Sequence, residues 1–549
     1  MRAVAVAMVL AGAVFSAGAQ TAPLRYWVHF TDKLGAADYP YALDAPELFL
    51  SERSLERRER QGIAVDASDL PVAPAYLEAL DAVDGFEVVL SSKWLNAATV
   101  RAADSTVSTE ALLALPFVSE VRRVAAWRGD DRPPVAPAPR GGFESVEPTA
   151  YGKGWGALHQ LGGEALHGLG FRGDGMWIAV LDAGFDATDR LPVFERLFEE
   201  GRLLLGIDAM RSQAGLFAHH RHGTSVLGTM AAWWPDSLIG TAPDATYVLY
   251  RTEDAYSEYL IEEDYWVRAA EHADSLGVDL MNTSLGYSLF DDAGMDHDWA
   301  DLDGQTTHIA RGMSAAAEKG ILCVTSAGNS GNSAWHRITT PADARGILAV
   351  GAVDASGEHA AFSGFGPSAD GRVKPEVMAL GLGAAYPTHD TLVKTGNGTS
   401  FASPILCGLA ACLWQSAPDA TAEDIRWAII ESAHLASTPN DSMGYGIPNF
   451  AIARELLVPR PWIAASELEA FPNPTTNLVR FTLPGAATGA ATARLYAVSG
   501  ELAAQSSVEL WADPAGEATS WFHFNVRPGV YVLVVEQGEV RGRTSLIVQ

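Results

Sequence analysis

The sequence predicts an α/β protein: a three-layer fold with a mainly parallel sheet, preceded by a small α+β unit and followed by a small β-sandwich. Three observations carry that expectation. Between residues 151 and 460 the apolar runs MWIAVLDAG, ATYVLYR, VDLMNTSLG, ILCVTSAGN and ILAVGAVDA alternate with longer helical stretches. Near-continuous apolar strands alternating with helices imply a sheet covered on both faces. Residues 20–127 alternate strand-like and helix-like runs over shorter lengths, and residues 467–549 hold short alternating runs separated by Gly, Pro and Asn.

The elements follow in order. In residues 1–19, Arg2 precedes the apolar run Ala3 to Phe15 and the small residues Ala17-Gly18-Ala19, which is the pattern of a secretory signal peptide. RYWVHF reads as a strand, PELFLSERSLERRER as an amphipathic, charge-rich helix and YLEALDAVDG as a second helix. KWLNAATVRA, TEALLALP and SEVRRVAAW then read as strand, helix and strand, ending near Trp127. Residues 128–150 are rich in Pro, Gly and charge and read as an exposed linker, where proteases cut. In residues 151–460, TSVLGTMAAWW, YLIEEDYWVRAAEHADSLG and THIARGMSAAAEKG read as helices. TAEDIRWAIIESA, with Thr421 as its cap, closes that domain.

Composition excludes several function classes. The formal charge of −29 argues against a nucleic-acid partner, since phosphate binding needs a basic face. After the signal segment no run approaches the roughly 20 apolar residues of a membrane span. Cys323, Cys407 and Cys412 lie in apolar runs and read as buried free thiols. A Cys407–Cys412 bridge is disfavoured because positions five apart on a helix point in different directions.

Four stretches carry chemistry. Asp182 ends the strand WIAVLD, where open α/β sheets place functional groups. His222 opens the helix HGTSVLGTM, and Ser400 stands at a helix start in NGTSFASP. Asn329 ends a strand in SAGNSG, with an amide able to donate to a developing oxyanion. Taken singly, these residues read as caps and turn formers. Together they supply a nucleophile, its base and the group that orients the base.

On VLDAG, HGTSV, NTSLG, SAGN and GTSFASP, in that order, residues 151 to about 455 resemble a subtilase, a subtilisin-like serine peptidase domain. The resemblance implies that Asp182 orients the imidazole and His222 acts as base and then acid. Ser400 would attack the scissile carbonyl, and Asn329 with the Ser400 N–H would form the oxyanion hole. Ser284, Leu285 and Gly286 would bind an extended substrate by strand addition. Ala183, Ser225, Leu227 and Leu380 depart from the family pattern without touching a triad side chain. A sedolisin is disfavoured, because His222 and Asn329 stand where that family has glutamate and aspartate.

The flanks resemble known modules too. Residues 25–127, with LLALPFVSEVRRV at their end, resemble a subtilase inhibitor propeptide. FPNPTTN, ARLYAVSGE and RPGVYVLVVEQG resemble the sorting domain of the type IX secretion system of Bacteroidota, although the final SLIVQ lacks the basic ending many members carry. Together these resemblances imply a secreted or cell-surface endopeptidase made as a zymogen. Its partners are polypeptide substrates, its own propeptide and the type IX machinery. A catalytically silent subtilase fold serving as a surface binding protein is the alternative. No cofactor is expected for catalysis and no catalytic metal, since His219, His220 and His222 lack a carboxylate at ligand spacing. Structural calcium is an expectation at Leu289 to Thr307, which holds six aspartates.

Overall fold

The computed structural model describes residues 24–33, 39–104, 106–126, 150–210, 215–388, 392–457, 468–484, 486–497, 502–513, 516–537 and 540–549. The expected signal peptide and almost all of the expected linker lie outside them. Two compact units emerge. Of the described residues, one holds those up to 39 with 72–91 and 96–126, the other 40–71, 92–95 and those from 150 onward.

The first unit carries a four-stranded antiparallel sheet of β1 (Leu24–Phe30), β2 (Phe86–Ser92), β3 (Ala97–Ala102) and β4 (Val118–Ala126), in the order β2-β3-β1-β4. Helices Pro74–Asp81 and Glu110–Leu113 complete it around Val28, Phe30, Leu80, Ala98, Val100 and Leu112. Strand β2 is absent from the sequence reading, which passed from the preceding helix straight to KWLNAATVRA.

The second unit is organised by a seven-stranded sheet. Its strands are β5 (Trp177–Asp182), β6 (Leu203–Asp208), β7 (Thr246–Arg251), β8 (Leu280–Thr283), β9 (Leu322–Ser326), β10 (Leu348–Val353) and β11 (Val377–Leu380). The order is β11-β10-β9-β8-β5-β7-β6, and every pairing is parallel. All strand carboxyl ends therefore lie along one edge, the edge where open α/β sheets bind ligands.

Segment 40–71 belongs to this second unit. Helix α1 (Glu52–Gln61) is capped by Ser51 and closed by Gly62 in the left-handed region. The expected single helix PELFLSERSLERRER is interrupted, because Ser51 accepts the Ser54 N–H and so begins a new helix. Nor does its charge face solvent: Arg57 and Arg58 are fully buried, both bonding to Asp274.

Four helices matter for the site: α2 (His222–Ala231), α3 (Ile261–Leu276), α4 (His308–Glu318) and α5 (Thr399–Ser416). Helix α5 is buried along almost its whole length, packs on α2 and lies against β8, β9 and β10. Helix α6 (Ala422–Glu431) starts at Thr421 with the expected cap and a reciprocal bond from Asp424.

The C-terminal strands are β12 (Glu469–Phe471), β13 (Leu478–Thr482), β14 (Gly489–Ala497), β15 (Leu502–Ala512), β16 (Ala518–His523), β17 (Gly529–Gln537) and β18 (Val540–Val548). They pair antiparallel in the order β12-β13-β16-β15-β14-β17-β18. A bridge between Thr475 and Val548 joins the two ends of that array over a core of its own. Among the described residues no helix is long and apolar enough to cross a membrane. All three cysteines are buried and free.

Candidate active site

Asp182 is the last residue of β5, fully buried. One carboxylate oxygen accepts the Ala183 N–H at 2.8 Å, so the residue after the aspartate contributes its backbone and not its side chain. His222 begins α2, and its Nδ1 stands 2.8 Å and 3.0 Å from the two Asp182 oxygens. This geometry suits an Nδ1–H that donates to the carboxylate and leaves Nε2 as the ring's basic nitrogen. Burial alone would lower the His222 pKa, but the charge and hydrogen bond of Asp182, with Glu253 behind it, raise it to about 9.

Ser400 is the second residue of α5, whose N-cap is Gly398. Gly398 and not the serine holds the N-cap position, so the reading of this serine as a cap does not describe it. Pro404 is the sixth helical residue, beyond the first turn of α5. Its missing N–H leaves the carbonyl four residues earlier without a helical donor. That carbonyl belongs to Ser400, and it accepts a hydrogen bond from the Ser284 hydroxyl at 3.0 Å.

Asn329 is oriented by its neighbours. Its Oδ1 accepts from the Thr399 N–H at 2.8 Å and the Thr399 hydroxyl at 3.0 Å. The amide Nδ2 is thereby left as a donor beside the start of α5. Gly398 has φ 155°, and a Cβ there would stand 3.7 Å from the Ser400 nitrogen and 3.8 Å from Asn329 Nδ2. Glycine keeps the space between these two donors open.

The expected residues thus converge at the strand carboxyl edge from β5, α2, the end of β9 and the start of α5. Asp182 and His222 are joined by a hydrogen bond. Ser400 is not joined to the imidazole: among the described residues its Oγ has no hydrogen-bond partner. Such catalytic bonds are often long before substrate arrives. Of the expected substrate strand, Ser284 and Leu285 are buried and Gly286 is exposed. The Ser284 side chain serves the protein interior, bonding Asn282 Nδ2 at 3.1 Å as well as the Ser400 carbonyl.

Two groups escaped the sequence reading. Thr399, inside the quoted motif, fixes the Asn329 amide. Glu253, two residues beyond β7, acts on His222 through its charge; its only signal was an acid just past a buried strand. The six aspartates of Leu289 to Thr307 do not form one donor set. Asp292, Asp296, Asp298, Asp301 and Asp303 bond to nearby backbone N–H groups or cap a short helix, and Asp291 lies against the Glu258 N–H.

Residues 173–446 match the family model described as "Subtilase family", and residues 25–134 match "Peptidase S8 propeptide domain, Bacteroidota". The chain is 29% identical over 286 residues to "Subtilisin DY" of Bacillus licheniformis, covering 52% of this chain and 91% of that protein. It is 28% identical over 289 residues to "Serine protease AprX" of Bacillus subtilis, covering 47% and 61%. Among solved structures it is similar to the MycP3 protease of a type VII (ESX-3) secretion system. That match has a TM-score of 0.44 at 23% identity and covers 56% of this chain and 89% of the other.

Proposed function

Residues 173–446 of this chain are a subtilase-family domain behind a peptidase S8 propeptide domain, and from that premise we propose that the protein is a secreted serine endopeptidase. The observation that carries the reading is the Asp182–His222 hydrogen bond, together with a serine that stands inside the first turn of α5 and not at its cap. His222 Nε2 takes the Ser400 proton as Oγ attacks a peptide carbonyl. Asp182 holds the ring and stabilises the imidazolium. Negative charge developing on the carbonyl oxygen is met by the Ser400 N–H and Asn329 Nδ2, at the positive end of α5. His222 then protonates the leaving amine, and water admitted to the acyl-enzyme completes hydrolysis.

In this reading the N-terminal domain is an intramolecular inhibitor removed on maturation, and the C-terminal β-rich region is a sorting domain for type IX export. Polypeptides are the substrates. The test is casein hydrolysis by purified variants. Ser400→Ala is expected to lower kcat by roughly 10⁶-fold and Asn329→Ala by about 10²–10³-fold, as the corresponding removals do in subtilisin. Undiminished digestion by Ser400→Ala contradicts the reading. Deleting residues 467–549 tests the sorting role, which predicts loss of export.

A further inference from the structure

The arrangement of the strand ends places a second cluster of acids beside the triad. Arg251, the last residue of β7, pairs with Asp182, and the Thr252 N–H donates to the Asp182 carbonyl at 3.1 Å. Glu253 follows directly. On the other side of β5, the chain leaving β8 runs through Ser284 to Gly286 and reaches Tyr287. From the start of α3 comes Glu262, and from the loop before it Glu258. Carboxylate oxygens of Glu253, Glu258 and Glu262 lie within 4.8 Å of one another.

Two deeply buried polar groups belong to this cluster. Glu262 is 2% exposed and Tyr287 1%, and among the described residues neither Glu262 Oε2 nor the Tyr287 hydroxyl has a hydrogen-bond partner. The Tyr287 hydroxyl feels the charges of Glu253, Glu262 and Glu258. Other buried acids of α3 are provided for. Glu263 meets His297, Asp264 meets His308, Glu271 accepts from Ser92, and Asp274 holds Arg57, Arg58 and Lys93. An uncompensated buried carboxylate is costly. Burial and the Asp182 charge raise the Glu253 pKa to about 7, and burial and Glu253 raise that of Glu258 to about 9. His222 acts as a cation on Glu253, but only acidic neighbours act on Glu258 and Glu262.

The geometry points to a specificity subsite in which Glu253, Glu258 and Glu262, with the Tyr287 hydroxyl, bind the ammonium or guanidinium group of a substrate lysine or arginine close to the scissile bond. This rests on the peptidase reading and names its substrate class. Glu262 and Tyr287 supply the buried floor, while Glu253 and Glu258 are half-buried walls. Three acceptors each about 2.8 Å from a tetrahedral ammonium stand roughly 4.6 Å apart, which suits the observed spacing. The substrate strand expected along Ser284–Gly286 leads to Tyr287, so a long basic side chain from that strand reaches the floor.

The test uses the mature enzyme and a set of fluorogenic hexapeptides. Each position from four before to two after the cleaved bond carries Lys, Arg or the uncharged isostere norleucine in turn. We expect one position at which a basic residue raises kcat/KM by about 10- to 100-fold over norleucine. In Glu258→Gln and Glu262→Gln that ratio falls toward one, and it weakens with ionic strength. Tyr287→Phe serves as the third variant should a glutamate replacement fail to fold. An active enzyme with no basic preference at any position overturns the proposal and leaves the peptidase reading standing. So does a calcium-dependent rise in melting temperature that Glu262→Gln removes, without any charge preference, since that assigns the acids to a metal ion. An enzyme that cleaves none of the peptides and leaves Ser400 unreactive takes both readings down.

Discussion

The hydroxyl of Ser284 donates to the backbone carbonyl of Ser400 across 3.0 Å. It stands in for the helical N–H that Pro404 lacks, so the residue that positions the Ser400 backbone lies 116 positions earlier in the chain. Both residues are buried. Ser284→Ala therefore strands a buried acceptor, at a cost of about 1–3 kcal/mol. Urea unfolding should show a lowered midpoint with an unchanged slope. An unaltered midpoint means that the Ser400 carbonyl has another donor.

Gly398 makes a second prediction. Its φ of 155° and the contacts awaiting a Cβ, 3.7 Å from the Ser400 nitrogen and 3.8 Å from the Asn329 amide, place any side chain against the space for the substrate carbonyl oxygen. Gly398→Ala should lower kcat by about 10²-fold, comparable to losing one oxyanion donor, with a smaller change in KM. Equal losses from ground-state binding alone would show up as a raised KM at constant kcat.

A third concerns pH. Only neutral imidazole can accept the serine proton, and the His222 pKa is raised to about 9, against the pull of burial, by Asp182 and Glu253. Activity at kcat/KM should therefore climb as pH rises through about 9. Glu253→Gln removes one of the charges that favour the imidazolium, so the limb should move to lower pH. A limb that stays in place in Glu253→Gln removes Glu253 from the electrostatics of the base.

The fourth concerns the precursor. Asp274 is fully buried among Arg57, Arg58 and Lys93. Burial would raise its pKa, but the three cations hold it below the ordinary carboxylate value. Folding thus favours the ionised form. The stabilisation is present above the unfolded-state value and is lost as pH falls through the lowered one. Asp274→Asn leaves three buried cations without their shared anion and should destabilise the precursor by about 3–5 kcal/mol, read as a lowered denaturation midpoint.

Asp182, His222, Asn329 and Ser400 were legible because their chemistry demands particular residue types at a strand end or a helix start, and local sequence reports both. The remainder depends on partners far along the chain. ERSLERRER reads as a solvated helix until Asp274 folds against it, more than 200 positions away. Glu253, Glu258 and Glu262 look like scattered surface acids, and only the adjacency of β7, β5 and β8 gives them meaning. Strand β6 carries the apolar run Leu203–Leu205 but is the partly exposed edge of the sheet, where burial on both faces does not mark it. Strand β11 spans only Val377–Leu380, too short to be told from the loop around it. In the tail, β15 alternates weakly and went unread.

The central claim is that Ser400 is a nucleophile activated by His222. Its most direct test is labelling of the mature protein by a serine-directed fluorophosphonate, with the modified residue located by peptide mass spectrometry. The account predicts a single adduct on Ser400, lost in Ser400→Ala and greatly slowed in His222→Ala. An unlabelled Ser400 in a folded, matured protein, or labelling that proceeds equally without His222, contradicts it.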